Sequence, residues 1–183
     1  MVITYYGLSC YKVQFGDTII AFNPISKASS YKTSTFGADV ALISVNDPDY
    51  NGREQVAYGS REPFLIEGPG EYEIGGIYVR GFGTEQNWGA GAKSDEGKKI
   101  NTIYSVLFEG VNLCHLGAQK DATIPPLVTE SLGEIDLLLS RFLEVIRSHR
   151  RTQQRWPQHL SRNSSSRCMQ EPQAERRRSS VNS

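Results

Sequence analysis

The chain has 183 residues, enough for one domain with a sizeable hydrophobic core. Its formal net charge of zero is a cancellation: residues 1–140 carry 10 Lys and Arg against 17 Asp and Glu, whereas residues 141–183 carry 10 Arg against 3 Glu. No segment approaches the roughly 20 apolar residues of a membrane span, and three scattered cysteines without a CxxC pair argue against a disulfide framework. Because residues 1–6 start as a strand and not as a charged leader, we expect a soluble cytoplasmic protein without a membrane partner.

The first part of the sequence predicts strands and one tight hairpin. Gly16-Asp17 lies between two alternating segments, the pattern of a two-residue β-turn. Residues 26–35 are rich in Ser, Lys and Thr and predict an exposed loop. The apolar run before Ser44 predicts a buried strand. In order, the predicted strands cover residues 2–6, 11–15, 18–22 and 38–44.

The second part predicts two more hairpins, at Gly75-Gly76 and Glu109-Gly110. A short helix is predicted over 125–132, ended by Gly133. The glycine-rich residues 83–99 predict a long loop. Predicted strands cover 64–66, 72–74, 77–79, 102–108, 111–116 and 135–139. So many hairpins indicate a largely antiparallel α+β protein, mostly β, with two packed sheets.

Residues 140–183 differ in composition from the rest of the chain. They are rich in Arg, Ser and Gln, contain no glycine and show little apolar periodicity, which predicts disorder. A solvated tail and a basic arm for nucleic acid are two interpretations. A frameshift is a third, because degenerate codons for residues 143–152, read in another frame, can encode a segment punctuated by glycine and proline like the rest of the chain.

The most informative segment is the polar loop Ser44–Tyr50, which follows the predicted buried strand. Asp47 and Asp49 are candidate ligands for one hard cation such as Mg²⁺, which prefers oxygen donors. Asp, Asn and Pro are also the residues of ordinary turns. His115 lies in an apolar strand, where a hydrogen-bonded core histidine is the alternative to a metal ligand.

The order of these segments resembles the metallo-β-lactamase superfamily, in particular the branch of small metal-dependent hydrolases related to the ascorbate-phosphate lactonases. The resemblance covers roughly residues 1–139 and implies an αββα sandwich that is partial, truncated at its C-terminal side. Many members of that family are two-zinc hydrolases, in which the metal lowers the pKa of bound water. The matching segments are residues 3–10, 18–24, 38–44, 68–77 and 112–117.

The resemblance also implies where zinc ligands would lie. The family's His-X-His-X-Asp-His motif falls on Val45, Asp47, Asp49 and Tyr50, so only Asp49 matches. The bridging aspartate falls on Ala118, and the last histidine would lie beyond residue 140. Further family positions carry Leu8, Asn23, Thr84 and Glu85 in place of the expected histidines and aspartate. We therefore expect no bound zinc, with Asp47 and Asp49 as remnants.

The leading functional prediction is a hydrolase-like protein of this fold that lacks a working two-zinc site and serves as a binding or structural module. One alternative is a hydrolase of a lactone or phosphoester that uses a single cation on Asp47 and Asp49. Another is nucleic-acid binding through the Arg-rich tail, which we consider the weakest. A truncated sandwich leaves a sheet edge and an apolar face uncovered, which predicts self-association.

Overall fold

The computed structural model describes residues 1–60, 62–88, 97–120 and 123–141. Its first sheet has the order β1-β2-β3-β4-β5. Gly16 (φ +55°) makes the predicted turn between β2 and β3, which pair as antiparallel strands. β4 lies parallel to both β3 and β5, since longer connections precede and follow it. The strands are β1 (Val2–Gly7), β2 (Cys10–Phe15), β3 (Thr18–Phe22), β4 (Val40–Leu42) and β5 (Phe64–Ile66).

The second sheet has the order β10-β9-β8-β7-β6. Both predicted hairpins are confirmed, since Gly75-Gly76 joins β6 to β7 and Glu109-Gly110 joins β8 to β9. β10 returns beside β9 as a parallel strand after the helix α1. The elements are β6 (Gly70–Ile74), β7 (Ile77–Asn87), β8 (Lys98–Phe108), β9 (Val111–His115), α1 (Pro126–Leu132) and β10 (Leu137–Leu139).

The two sheets face each other across the main core. Because side chains alternate along a strand, every second residue of β2, β3, β8 and β9 points into this layer. Phe22 and Tyr104 are among its largest fully buried side chains. Burying a side chain such as Phe22 contributes about 1.5–3 kcal/mol relative to leaving it exposed. Tyr104 also links the sheets, since its hydroxyl donates to the carbonyl oxygen of Ile43 at 2.7 Å.

The outer faces of the sandwich are covered differently. On the second sheet, α1 packs Val128 and Leu132 against Ile103 and Cys114. On the first sheet, Ala21 and Ala41 are covered by side chains including Phe36 and Val56, the latter at the end of a short 3-10 helix over Arg53–Gln55, and not by an α-helix among the residues described. The predicted metallo-β-lactamase-like sandwich is confirmed, with a helical layer on one face of the described part.

The prediction of a long loop over residues 83–99 is wrong at both ends. β7 continues to Asn87 and β8 begins at Lys98, and the two pair from Tyr78↔Leu107 to Asn87↔Lys98. Thr84 and Gln86 are buried while their neighbours are exposed, so this polar segment has the alternation of a strand. Residues 89–96 lie outside the described part.

Several other predictions have definite outcomes. The strand predicted over 38–44 is shorter, at Val40–Leu42, and each of the ten predicted strands has a counterpart in the described residues, several with other bounds. The helix is confirmed over Pro126–Leu132, ended by Gly133 (φ +69°). No helix in the described ranges has the length and hydropathy to cross a bilayer. The tail predictions concern residues 142–183, which lie outside the description, so the domain limits stay a prediction.

Candidate functional site

The sequence-predicted site residues lie at one edge of the sandwich, where the strands end. β3 and β4 are parallel, so Asn23 and Ser44 follow neighbouring strand ends. In the second sheet, His115 ends β9 at the same edge, since its Nε2 contacts the Ser9 carbonyl between β1 and β2. The backbone N–H of Thr102 donates to the Ser44 carbonyl at 2.8 Å and ties the two sheets together here. In folds with parallel strands, the loops that follow the carboxyl ends of the strands commonly bind the ligand.

The first feature of the site is a buried strand-end network, formed by Ser9, Asn23, Ser44 and His115. The Asn23 amide donates to Ser9 Oγ at 2.9 Å and to Ser44 Oγ at 2.8 Å. Its Oδ1 accepts from the Ser44 backbone N–H at 2.8 Å. Asn23 has a φ of +44°, a conformation that Asn tolerates better than most residues. One side chain thus holds three chain segments in place.

His115 completes this network as a fully buried imidazole. Its Nδ1 accepts from the Gly117 N–H at 3.2 Å, so Nε2 carries the proton and donates to the Ser9 carbonyl at 3.0 Å. Burial lowers the pKa of His115 to about 4, against a smaller opposing effect of the Ser9 carbonyl. Both nitrogens are engaged within the protein, which leaves neither free for a metal ion.

The segment after His115 is fixed by a second polar group, Asn101. Its Oδ1 accepts from the Ala118 N–H at 2.7 Å, and its amide donates to the Leu116 carbonyl and to Gln119 Oε1, both at 3.1 Å. Gly117 lies in the left-handed region at φ +66°, and an added Cβ would lie 2.3 Å from Asn101 Oδ1. Only glycine fits this close approach.

The second feature is the loop cluster, an apolar group that lies on the strand-end network. It holds four family positions, Val45, Tyr50, Ala118 and Leu8, together with Trp88. Val45 is 4% exposed, Tyr50 5% and Ala118 0%. The Tyr50 and Trp88 rings meet edge to face at 5.6 Å between centroids, a favourable aromatic geometry. Burial raises the pKa of Tyr50, partly offset by Arg141 and reinforced by Asp49 and Asp47, so its hydroxyl stays protonated.

The structure gives Asp47 and Asp49 separate partners. Asp47 Oδ2 forms an ion pair with Lys99 Nζ at 2.9 Å, and its Oδ1 accepts from the Asp49 N–H at 3.2 Å. Asp49 Oδ1 accepts from the Ser29 hydroxyl at 2.6 Å. Partial burial acts to raise the pKa of Asp47, but the hydrogen bonds from Lys99 and Asp49 and the charges of Lys99 and Lys120 hold it below its ordinary value.

Two lysines gather around Trp88. Lys120 Nζ lies 4.1 Å and Lys99 Nζ 5.2 Å from the centre of the indole ring, both within cation–π distance. The Trp88 Nε1–H is buried and has no acceptor in the described structure. The sequence prediction of a loop over residues 83–99 left out Lys99, and no local pattern indicated the contact of Lys120 with Trp88. The alternation of Thr84 and Gln86 is the signal that places Lys99 on a paired strand.

The donor set does not fit a two-zinc centre. Zinc needs thiolate, imidazole or carboxylate ligands in a tight group. Valine, tyrosine and alanine occupy three of the implied positions, and the two carboxylates are hydrogen-bonded to different partners. Among residues 1–60, 62–88, 97–120 and 123–141, no group of three His, Cys, Asp or Glu side chains is placed to share an ion.

Comparison with known proteins identifies the wider relationship. A family model described as the beta-lactamase superfamily domain matches residues 2–141. A predicted zinc-dependent hydrolase of the metallo-β-lactamase superfamily from Thermotoga maritima is 26% identical, with a TM-score of 0.54. No curated protein matches this chain.

Two more distant structures show the same fold. A predicted metal-dependent hydrolase from Parabacteroides distasonis is 15% identical, has a TM-score of 0.52 and is covered over 67% of its length. The diiron β-hydroxylase CmlA from Streptomyces venezuelae is 14% identical, has a TM-score of 0.50 and is covered over 33%. All three alignments cover 74% of this chain, which spans 58% of the Thermotoga maritima protein.

Proposed function

This chain belongs to the metallo-β-lactamase superfamily, and we propose that it is a binding module that does not use two-zinc hydrolysis. The observation that carries the proposal is the loop cluster. Val45, Tyr50 and Ala118 pack together at the positions where the resemblance implies zinc ligands. An aliphatic side chain has no lone pair for a metal, and a neutral phenol is a poor ligand.

The charges around the cluster support the same proposal. Lys99 and Lys120 stand around Asp47, the second position of the ligand motif. An ammonium group that already neutralises this carboxylate repels an incoming divalent cation, and a metal would have to displace it. The edge of the cluster thus favours negatively charged groups over metal ions.

The rival function is hydrolysis with one cation held by Asp47 and Asp49. It requires both carboxylates to turn towards a common point. Asp47 instead accepts from Lys99 and from the Asp49 N–H, and Asp49 accepts from Ser29. Breaking these contacts costs free energy before any ion binds, so the arrangement favours the binding module.

Metal analysis of the purified full-length chain tests the proposal. After exposure to zinc, manganese or magnesium and removal of free ions, we expect substoichiometric metal, and no turnover above the blank on a panel of lactones and phosphodiesters. Asp49→Asn is expected to leave metal content unchanged, as does the control Asp17→Asn in the exposed hairpin turn. Stoichiometric metal that is lost in Asp49→Asn but kept in Asp17→Asn would establish the rival.

Three further proposals concern the descent of the chain, its cellular location and its self-association. We propose descent from the hydrolase branch related to the ascorbate-phosphate lactonases, on the order of the matching segments. We propose a cytoplasmic setting, which the free, buried thiols of Cys10 and Cys114 support; burial raises the pKa of each to about 12. We also propose self-association through a sheet edge; light scattering that shows a stable monomer would contradict it.

A further inference from the structure

We infer that the edge of the loop cluster binds a small oxyanion, a phosphate or carboxylate group, through Lys120, Lys99 and the indole N–H of Trp88. The inference rests on the proposed function, because without a metal ion these groups can act on a ligand directly. It adds the chemical class of the ligand and the residues that contact it.

The first argument is the indole N–H of Trp88. It is buried and has no hydrogen-bond acceptor in the part of the chain that the structure describes. A buried donor without an acceptor destabilises the fold, because the loss of its hydration is not compensated. Such groups are uncommon in folded proteins and call for an acceptor beyond the described residues, such as water or a ligand. A negatively charged oxygen is the strongest acceptor available to an N–H group.

The second argument is the charge next to this N–H. Two ammonium groups lie against the same indole ring, at 4.1 Å for Lys120 and 5.2 Å for Lys99. Lys99 is paired with Asp47, but no carboxylate of the described residues lies within ion-pair distance of Lys120 Nζ. Lys120 therefore has its charge available for a ligand oxygen, and Lys99 is 41% exposed and can reach the same ligand.

The third argument excludes other ligand classes. A flat base or aromatic ring would need an indole face, and Lys120 already lies over the ring. A cation would meet two ammonium groups. An oxyanion meets two cations and an N–H donor, and its charge-assisted hydrogen bonds are about twice as strong as neutral ones.

Fluorescence of Trp88 tests the inference. The chain has two tryptophans, so Trp156→Phe leaves Trp88 as the reporter. In the presence of a chelator, inorganic phosphate and acetate are titrated against sodium chloride at matched ionic strength. We expect a saturable change with phosphate, acetate or both, and none with chloride. The two titrations distinguish a phosphate ligand from a carboxylate ligand.

Three variants in the Trp156→Phe background sharpen the test. Lys120→Gln should weaken binding at least about tenfold, because it removes a charge-assisted contact. Asp47→Asn should tighten it several-fold, because the competing carboxylate is neutralised. Lys98→Gln is the matched control: Lys98 precedes Lys99 on β8, points to the opposite face and pairs with Glu85 at 3.7 Å, so binding should not change.

The inference is overturned if neither anion gives a saturable change beyond the chloride control, or if Lys120→Gln and Lys98→Gln weaken binding equally. Either result leaves the proposed function intact, since that function fails only when the metal analysis finds a stoichiometric, active ion. The chelator keeps the two outcomes separate, because an anion held by an adventitious metal would not bind in its presence.

Discussion

The strand-end network and the loop cluster lie in contact at one edge of the sandwich, yet they are built from opposite chemistry. The network consists of buried polar groups, and Asn23 and His115 have every side-chain nitrogen engaged. The loop cluster is apolar, with one buried N–H unsatisfied on Trp88. The network depends on specific hydrogen bonds, whereas the cluster depends mainly on the volume of its side chains.

This difference separates residues that the fold requires from residues that only the chemistry of the family requires. A strand end must place its backbone, and Asn23 does so by bonding to Ser9 and Ser44 at once. A ligand position needs only a side chain that fills space or binds, so Val45 and Ala118 can occupy it without loss of the fold. Three variants probe this contrast, from the largest expected effect to the smallest.

Gly117→Ala should have the largest effect. The added methyl would lie 2.3 Å from Asn101 Oδ1 and 2.7 Å from both Ser44 Cβ and the Thr102 carbonyl oxygen. We expect a loss of about 3–5 kcal/mol in the free energy of unfolding, measured by urea denaturation, since positive φ and a steric clash act together.

Gly110→Ala is the matched control for this substitution. Gly110 has a similar φ of +73°, but an added Cβ would meet nothing within 4 Å. It should lose only about 1–2 kcal/mol, the cost of the backbone conformation alone. Equal losses in the two variants would show that the strand-end edge is no more constrained than an open turn.

The sequence predicted the fold where local signals decide it. Gly16-Asp17, Gly75-Gly76 and Gly110 set hairpins through residues that accept positive φ, and Gly133 ends the helix in the same way. These signals need no tertiary contact. The extension of β7 to Asn87 was missed because polar Thr84 and Gln86 are buried by bonding to residues distant in sequence, Gln119 and Lys120.

The site was predictable only in part, because the sequence indicates the order of the segments but not their packing. The segment order placed Val45, Asp47, Tyr50 and Ala118 near each other, and the structure brings them to one edge. Nothing in the sequence indicated that Lys120, which follows β9, would lie over Trp88. Contacts of that kind depend on the packing of the two sheets, which a local pattern cannot give.

Protonation of His115 should have an intermediate effect. Its pKa is about 4 in the fold against 6.5 as the ordinary value, so the unfolded chain takes up a proton first. The contribution of neutral His115 to the free energy of unfolding is therefore fully present above pH 6.5 and is lost as the pH falls towards 4. Between pH 7 and pH 5 the wild-type chain should lose about 2 kcal/mol more than His115→Gln.

Urea denaturation at both pH values checks this expectation, and His149 and His159 are retained in both proteins, so that only one imidazole differs. A parallel pH dependence of the two proteins would mean that His115 titrates normally. The imidazole would then belong with the adaptable loop cluster and not with the fixed network beneath it.

The ion pair between Asp47 and Lys99 should have the smallest effect. Its side chains are 22% and 41% exposed, and partly exposed pairs contribute about 0.2–1 kcal/mol. A double-mutant cycle with Asp47→Asn and Lys99→Gln, read by urea denaturation, should give a coupling energy of about 0.5 kcal/mol. The longer Lys98–Glu85 pair, at 3.7 Å and more exposed, is the control and should show no measurable coupling. A coupling of several kcal/mol at Asp47 would mean that this loop is held as rigidly as the strand ends. Lys99 would then stabilise the fold through Asp47, at a position where the family relationship implies a metal ligand.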